Sequence, residues 1–153
     1  MKIFCDTNIL MEYIQQRNEV QHVEQVLRYA EQEKHTLYIS LGSFYTLTYL
    51  IEKYIKLEQL KKEERIDKLR EILNGILDLF HFTFQTSDAI KDGVNDETFT
   101  DLEDSYQAHA AESEGCDVIL TIDTNHFKEY KNNNGISVVS PLEFINNYIV
   151  NQK

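Results

Sequence analysis

The sequence predicts an α/β protein built on a mostly parallel sheet of four or five strands, with helices covering both faces. Three observations carry this expectation. Short apolar runs alternate with stretches of helical periodicity along all 153 residues, the signature of parallel strands joined by helical, right-handed crossovers. The first apolar run (Ile3, Phe4, Cys5) begins near the amino terminus and stops at Asp6-Thr7-Asn8. That combination reads as a buried strand closed by a helix-start signal. No repeat, low-complexity segment or linker breaks the pattern, and the length suits one domain over residues 1–153.

Each element has its own local reason. After the first strand, residues 9–14 read as a short helix. Residues 20–33 follow as a second, because Val20, Val23, Val26, Leu27 and Ala30 recur at helical spacing. Residues 37–40 (LYIS) form a short strand. The helix predicted over 41–56 carries Phe44, Leu47, Tyr49, Leu50, Ile51 and Tyr54 around most of its girth, which predicts deep packing. Residues 58–77 are strongly amphipathic, with Ile66, Leu69, Leu73 and Ile76 on one side and Lys, Glu and Arg opposite. A strand at 80–84 is interrupted by His81 and Thr83; a short helix at 87–91 and a polar loop at 92–98 come next. Thr100 and Glu103 match a capping box, so a helix is expected to start there. The apolar strand 118–122 (VILTI) leads directly into Asp123, Asn125 and His126, with Phe127 and Tyr130 on a helical turn. A polar turn at 131–135, an edge strand at 136–139 and a helix at 141–149 with Pro141 in its first turn close the chain.

Composition narrows the function. Hydrophobic content of 42% and charged content of 27% are those of an ordinary globular protein. No apolar run approaches the ~20 residues of a membrane span, and there is no basic, apolar secretory leader, so a cytoplasmic protein without membrane association is expected. Cys5 and Cys116 form no CxxC pair and read as reduced, packed thiols. The net charge is −11, from 15 Lys+Arg against 26 Asp+Glu. That is a poor footprint for binding nucleic acid chiefly through phosphates, and it suits a cation site or a basic partner. The basic residues Lys53, Lys56, Lys61, Lys62, Arg65, Lys68 and Arg70 are interleaved with Glu and read as a solvated helix face. The five glycines are scattered, with no GxGxxG or GxxxxGK after a strand, which disfavours a dinucleotide or P-loop site.

The candidate chemistry lies in three acidic positions. Asp6 follows the first strand, where open parallel sheets place their ligands; as a mere helix cap it would contribute roughly 1 kcal/mol. Asp101 and Glu103 are explained by the helix dipole and the capping box. Asp104 shares a face with Ala108 and Ala111, small residues that let a helix approach a sheet, so it is expected to point inward. An inward carboxylate is costly unless it is paired or binds a metal. Asp123 follows a strand that can neighbour the first. Convergence of Asp6, Asp104 and Asp123 at one rim would create a repulsive cluster suited to Mg2+, which favours carboxylate and water ligands and leaves positions open for phosphate oxygens. Such a site supports hydrolysis at phosphorus. His126, beside Asp123, could serve as a metal ligand or general base, although such a His is more often a helix-start or surface residue.

This order of signals resembles the PIN domain family: an apolar strand ending in Asp-Thr-Asn, an Asp within FTDLEDSYQ, and a T-x-D segment followed by Phe127 after an apolar strand. The resemblance covers roughly residues 2–147 and is nearest to bacterial members that include toxin halves of toxin–antitoxin pairs. It implies a three-layer α/β/α sandwich and a ribonuclease dependent on Mg2+ or Mn2+, with RNA as substrate. Carried over by position, Asp6, Asp104 and Asp123 match the metal-binding and catalytic acids, Thr7 and Asn8 support the first, and Asn125 assists the last. The resemblance also suggests an antitoxin protein as partner, and homodimers. One departure stands out. The family's further acid, a few residues beyond a Ser such as Ser40, is replaced by Thr46, and Glu52 lies about one and a half turns further on, too far to substitute. Asp101 or Glu103 would then compensate. Two other readings compete. In one, a PIN-like module without catalysis uses its acidic rim to hold a basic partner segment. In the other, the chain is a haloacid-dehalogenase-like phosphatase, although Asn8 stands where that chemistry wants a second Asp.

Overall fold

The computed structural model describes residues 1–130 and 135–151; the polar turn expected at 131–135 lies, except for Gly135, outside the described residues. Five strands form one sheet in the order β3-β2-β1-β4-β5, every neighbouring pair parallel. They are β1 (Lys2–Cys5), β2 (Thr36–Ile39), β3 (His81–Phe82), β4 (Val118–Leu120) and β5 (Ser137–Val139). Helices α1 (Thr7–Ile14), α2 (Val20–Gln32), α3 (Leu41–Ile55), α4 (Lys62–Leu79), α5 (Ser87–Asn95), α6 (Leu102–Glu114) and α7 (Pro141–Phe144) connect or follow them. A 3-10 turn at Thr124–Phe127 leaves β4, and α7 continues as a π-helical stretch through Val150.

The central strand explains the layering. Ile3, Phe4 and Cys5 are all inaccessible to solvent, so both faces of β1 are covered, as parallel sheets require. Successive side chains point to opposite faces. Ile3 and Cys5 join one core with Leu37, Ile39, Val118, Leu120 and the inner residues of α1, α2, α3, α4 and α7. Phe4 and Ile119 join the other, formed with Phe99, Phe127, Ile136 and the alanines of α6. The result is a three-layer α/β/α sandwich. No helix among the described residues is long and apolar enough to cross a membrane. Both cysteines are free, buried and pushed upward in pKa by burial.

Several elements differ from expectation for identifiable reasons. Only one side of α3 is deeply packed: Leu47 and Ile51 are buried, whereas Tyr45 and Tyr49 are about two-thirds exposed. Helix α4 begins at Lys62, not 58, because the Lys61 amide donates to the Glu64 carboxylate (2.8 Å) while Glu58 turns back to Lys68 (2.7 Å). The loop expected at 92–98 is half helix, since α5 runs on to Asn95 against α6. There the Gly93 carbonyl accepts from Ser105 Oγ (2.7 Å), and a Cβ at Gly93 would come within 2.9 Å of the Tyr106 ring. The start of α6 is capped by Asp101, whose Oδ1 accepts from the Glu103 amide (2.8 Å); Thr100 is not the cap. Gly115 ends α6 with φ +68°, a left-handed conformation that glycine adopts at no steric cost.

Candidate functional site

The sheet order reverses between β1 and β4, and the crevice outside their carboxyl ends is where such sheets bind ligands. Asp6 arrives there directly. Its amide extends the ladder to the Leu120 carbonyl (2.9 Å), and its carboxylate accepts from Thr121 Oγ1 (2.6 Å), one residue past β4. Asp6 occupies the N-cap position of α1 but accepts no capping hydrogen bond. Burial pushes its carboxyl pKa up, while Thr121, Gln107 and the neighbouring amides of Thr7 and Asn8 pull the other way.

Asn8 and Thr121 lock the two strand ends together. Asn8 Oδ1 accepts from the Ile122 amide (3.1 Å), and its Nδ2 donates to Thr121 Oγ1 (3.2 Å), which also accepts from the Asp123 amide (3.2 Å). Both polar ends of Asn8 are thus engaged in holding the backbone. Thr7 binds α6: its amide donates to Gln107 Oε1 (3.1 Å) and its hydroxyl approaches Glu103 Oε1 (3.4 Å). Gln107, 3% exposed, also accepts from Ser43 Oγ of α3 (3.4 Å).

A cleft of about 500 Å³ gathers Asp6, Asp101, Glu103, Asp104 and Asp123 on one side. Asp104 does turn inward: its side chain is 13% exposed, and Ala108 and Ala111 on the same face are fully buried. Its carboxyl pKa is pushed up to about 6 by burial first, then by the negative charges of Asp6 and Asp101. Glu103 is raised for the same reasons, with the Thr7 hydroxyl pulling the other way, so Glu103 and Asp104 feel one shared negative field. His126, more often a surface residue in such a position, is 55% exposed and places Nδ1 2.9 Å from Asp104 Oδ2. Asn125 is exposed and outside the cleft lining. Thr46 does line the cleft, whereas Glu52 pairs with Lys56 (3.1 Å) on a different groove of α3. The remaining lining comes from α1, the α1–α2 turn, α3 and the turn that follows α3, with Met11, Arg17, Leu50, Lys53, Tyr54 and Leu57. Lys53 lines the cleft while staying exposed, as expected of a solvated helix face.

Among the described residues, no three His, Cys, Asp or Glu side chains form a ready-made metal cage. The acidic side chains lining the cleft are nonetheless carboxylates, and the charges of Asp6 and Asp101 raise the proton affinity of Glu103 and Asp104. That chemistry fits a hard divalent ion which keeps several waters and binds through one or two carboxylates.

Sequence reasoning missed Gln107 and Thr121. Gln107 lies three residues beyond Asp104, hence on the same helix face, so a signal was present. Thr121 was absorbed into an apolar strand, and only its pairing across to Asp6 reveals it.

The fold is a five-stranded parallel α/β sheet with a carboxylate-lined crevice at the point where its strand order reverses. The chain matches the PIN domain family over residues 2–125 and belongs to that family. It is 29% identical over 129 residues to a protein named Ribonuclease VapC1 from Aquifex aeolicus (strain VF5), covering 82% of this chain and 84% of that relative. Its fold is similar to that of VapBC2 from Rickettsia felis, solved bound to a promoter DNA fragment (TM-score 0.63, 16% identity, 92% and 98% coverage). It is also similar to FitAB bound to the IR36 DNA fragment (TM-score 0.57, 19% identity, 91% and 94% coverage).

Proposed function

We propose that this chain is a divalent-metal-dependent ribonuclease of PIN type that works as one unit over its length. The observation that carries the reading is that Asp6, Asp104 and Asp123, each from a different element, line one cleft. Family membership and the ribonuclease relative point the same way.

Asp6, Asp104 and Asp123 would hold Mg2+ or Mn2+. A bound ion of this kind supplies a water of lowered pKa and neutralises charge at phosphorus. The chain's own groups prepare the place. Thr121 and Gln107 fix the Asp6 carboxylate, and His126 orients that of Asp104. Glu103, drawn towards Thr7, takes over from the acid that Thr46 replaces. Asp101 caps α6 and adds to the negative field.

Purified protein incubated with a mixed RNA pool and Mn2+ is expected to cleave it. Asp6→Asn and Asp104→Asn each lower the rate about a hundredfold or more, and Glu103→Gln lowers it about tenfold. Equal cleavage by wild type and Asp6→Asn would overturn the reading.

A second reading concerns partners. An apolar groove of about 570 Å³ between α1, α2 and α4 is lined by residues including Leu10, Ile14, Leu27, Ile72, Ile76 and Leu79. The fold relatives were solved as VapBC2 and FitAB assemblies, and the groove favours an antitoxin-like protein that buries an amphipathic helix there. A noncatalytic module would use the same groove or the acidic rim, and the cleavage assay separates the two. Homodimerisation is tested by mass measurement of the purified chain.

A further inference from the structure

Thr46 stands in α3 where the family resemblance expects an acid, yet α3 reaches Asp6 by another route. Ser40, the N-cap of α3, accepts from the Ser43 amide (2.9 Å). Its own hydroxyl donates to Ser43 Oγ (2.9 Å), and Ser43 Oγ donates to Gln107 Oε1 of α6 (3.4 Å). The same Gln107 oxygen accepts from the Thr7 amide (3.1 Å) and lies 3.5 Å from the Thr7 hydroxyl. A backbone N–H can only donate, so Thr7 fixes which end of the carboxamide it meets. The Nε2 end is then the one that donates to the Asp6 carboxylate. Ser40, Ser43, Gln107 and Asp6 are each no more than 4% exposed. The donors in this buried row all point one way, from α3 through α6 to the end of β1, and bonds arranged head to tail polarise one another.

We propose that Ser43 and Gln107 are positioning residues for the divalent ion. Through the row Ser40 to Ser43 to Gln107 to Asp6, helix α3 orients the Asp6 carboxylate with hydroxyls instead of supplying a carboxylate of its own. The inference rests on the reading of Asp6 as a metal-holding acid, and it adds what prepares that acid before an ion arrives. A carboxylate has about four lone-pair sites and turns freely unless donors hold it. Thr121 takes one of them from the end of β4 (2.6 Å), and Gln107 takes another from α6. Held from two elements, Asp6 keeps its remaining sites in a fixed direction. Ser43 does not touch Asp6; it acts by holding and polarising the Gln107 carboxamide. Groups of this kind behind a ligand typically contribute about 10–100-fold in metal affinity.

The test is Mn2+ binding to the metal-stripped full chain, read by electron paramagnetic resonance of the free ion. The unfolding temperature of each variant in EDTA shows that it is folded. Gln107→Met keeps the side chain's length and removes both polar ends, and it is expected to raise the Kd about tenfold or more. Ser43→Ala leaves the Ser40 cap in place and raises the Kd about threefold, because it acts only through Gln107. Ser43→Thr keeps the hydroxyl and the wild-type affinity. Adding Ser43→Ala to Gln107→Met changes the Kd no further, as members of one chain require. Thr48→Ala, whose hydroxyl donates only to the Phe44 carbonyl within α3 (2.9 Å), leaves the Kd unchanged. A wild type that binds Mn2+ no better than Gln107→Met and Ser43→Ala overturns the proposal and leaves the metal reading standing. Fully additive effects in the double variant overturn it too, since the two residues would then act separately. A wild type that binds no Mn2+ removes the metal reading, and this proposal with it. Should Gln107→Met lose its fold, the contrast of Ser43→Ala with Ser43→Thr decides alone.

Discussion

Asp104 carries an electrostatic cost in the cleft that can be read against pH. Its carboxyl titrates at about 6 instead of 3.8, because burial and the charges of Asp6 and Asp101 outweigh the hydrogen bond from His126. The folded state therefore binds this proton more tightly than the unfolded chain does. Stability from this group is fully present below about 3.8 and is lost as pH rises through about 6. Without metal, lowering the pH from 7.5 to 5 is expected to stabilise the wild type relative to Asp104→Asn. At pH 7.5 the variant is the more stable by roughly 1–2 kcal/mol, since the cleft's solvent screens part of the effect. His35, whose pKa burial lowers, works in the opposite direction, so the difference between the two proteins is the quantity to measure by denaturant unfolding. A difference that does not change with pH would refute the assignment.

At the scale of elements, the pairing of α5 with α6 positions Asp104. Helix α6 reaches the sheet through alanines, and α5 closes over it at Gly93, where Tyr106 leaves no room for a methyl group. Gly93→Ala is expected to lower stability by about 1–3 kcal/mol through overpacking, despite alanine's better helix propensity. An alanine variant as stable as wild type in urea would show that the two helices separate easily. The same contact explains why α5 outruns its sequence signal. Residues 92–95 combine Asp92, Gly93 and Asn95, poor helix formers, with a single apolar residue, Val94, so little local signal favours a helix; packing against α6 does. Replacement of the expected Thr100 cap by Asp101 is another local ambiguity, because both side chains can accept from an amide two or three residues on.

For the whole molecule, the charge distribution makes a metal prediction. Five acids in one cleft repel one another in the free protein, so Mg2+ or Mn2+ should stabilise it by about 2.7 kcal/mol at a hundred times its dissociation constant. For a chain of this size that is roughly 5–10 °C in Tm. Asp6→Asn and Asp104→Asn should abolish the shift. A wild-type Tm indifferent to both metals would count against the metal-dependent reading.

The alternation of strands and helices, the burial of β1 on both faces, the inward turn of Asp104 and membership of an acid-bearing family were all legible in the order of residues, because periodicity and strand-end chemistry are local properties. Tertiary structure alone decided which side chains share a space. Thr121 and Gln107 hold Asp6 from positions 115 and about 100 residues away, His126 meets Asp104 across 22 residues, and the exposed Lys53 comes to line the same cleft. No periodicity encodes those contacts; they follow from the parallel pairing of β1 with β4 and the seat of α6 on the sheet.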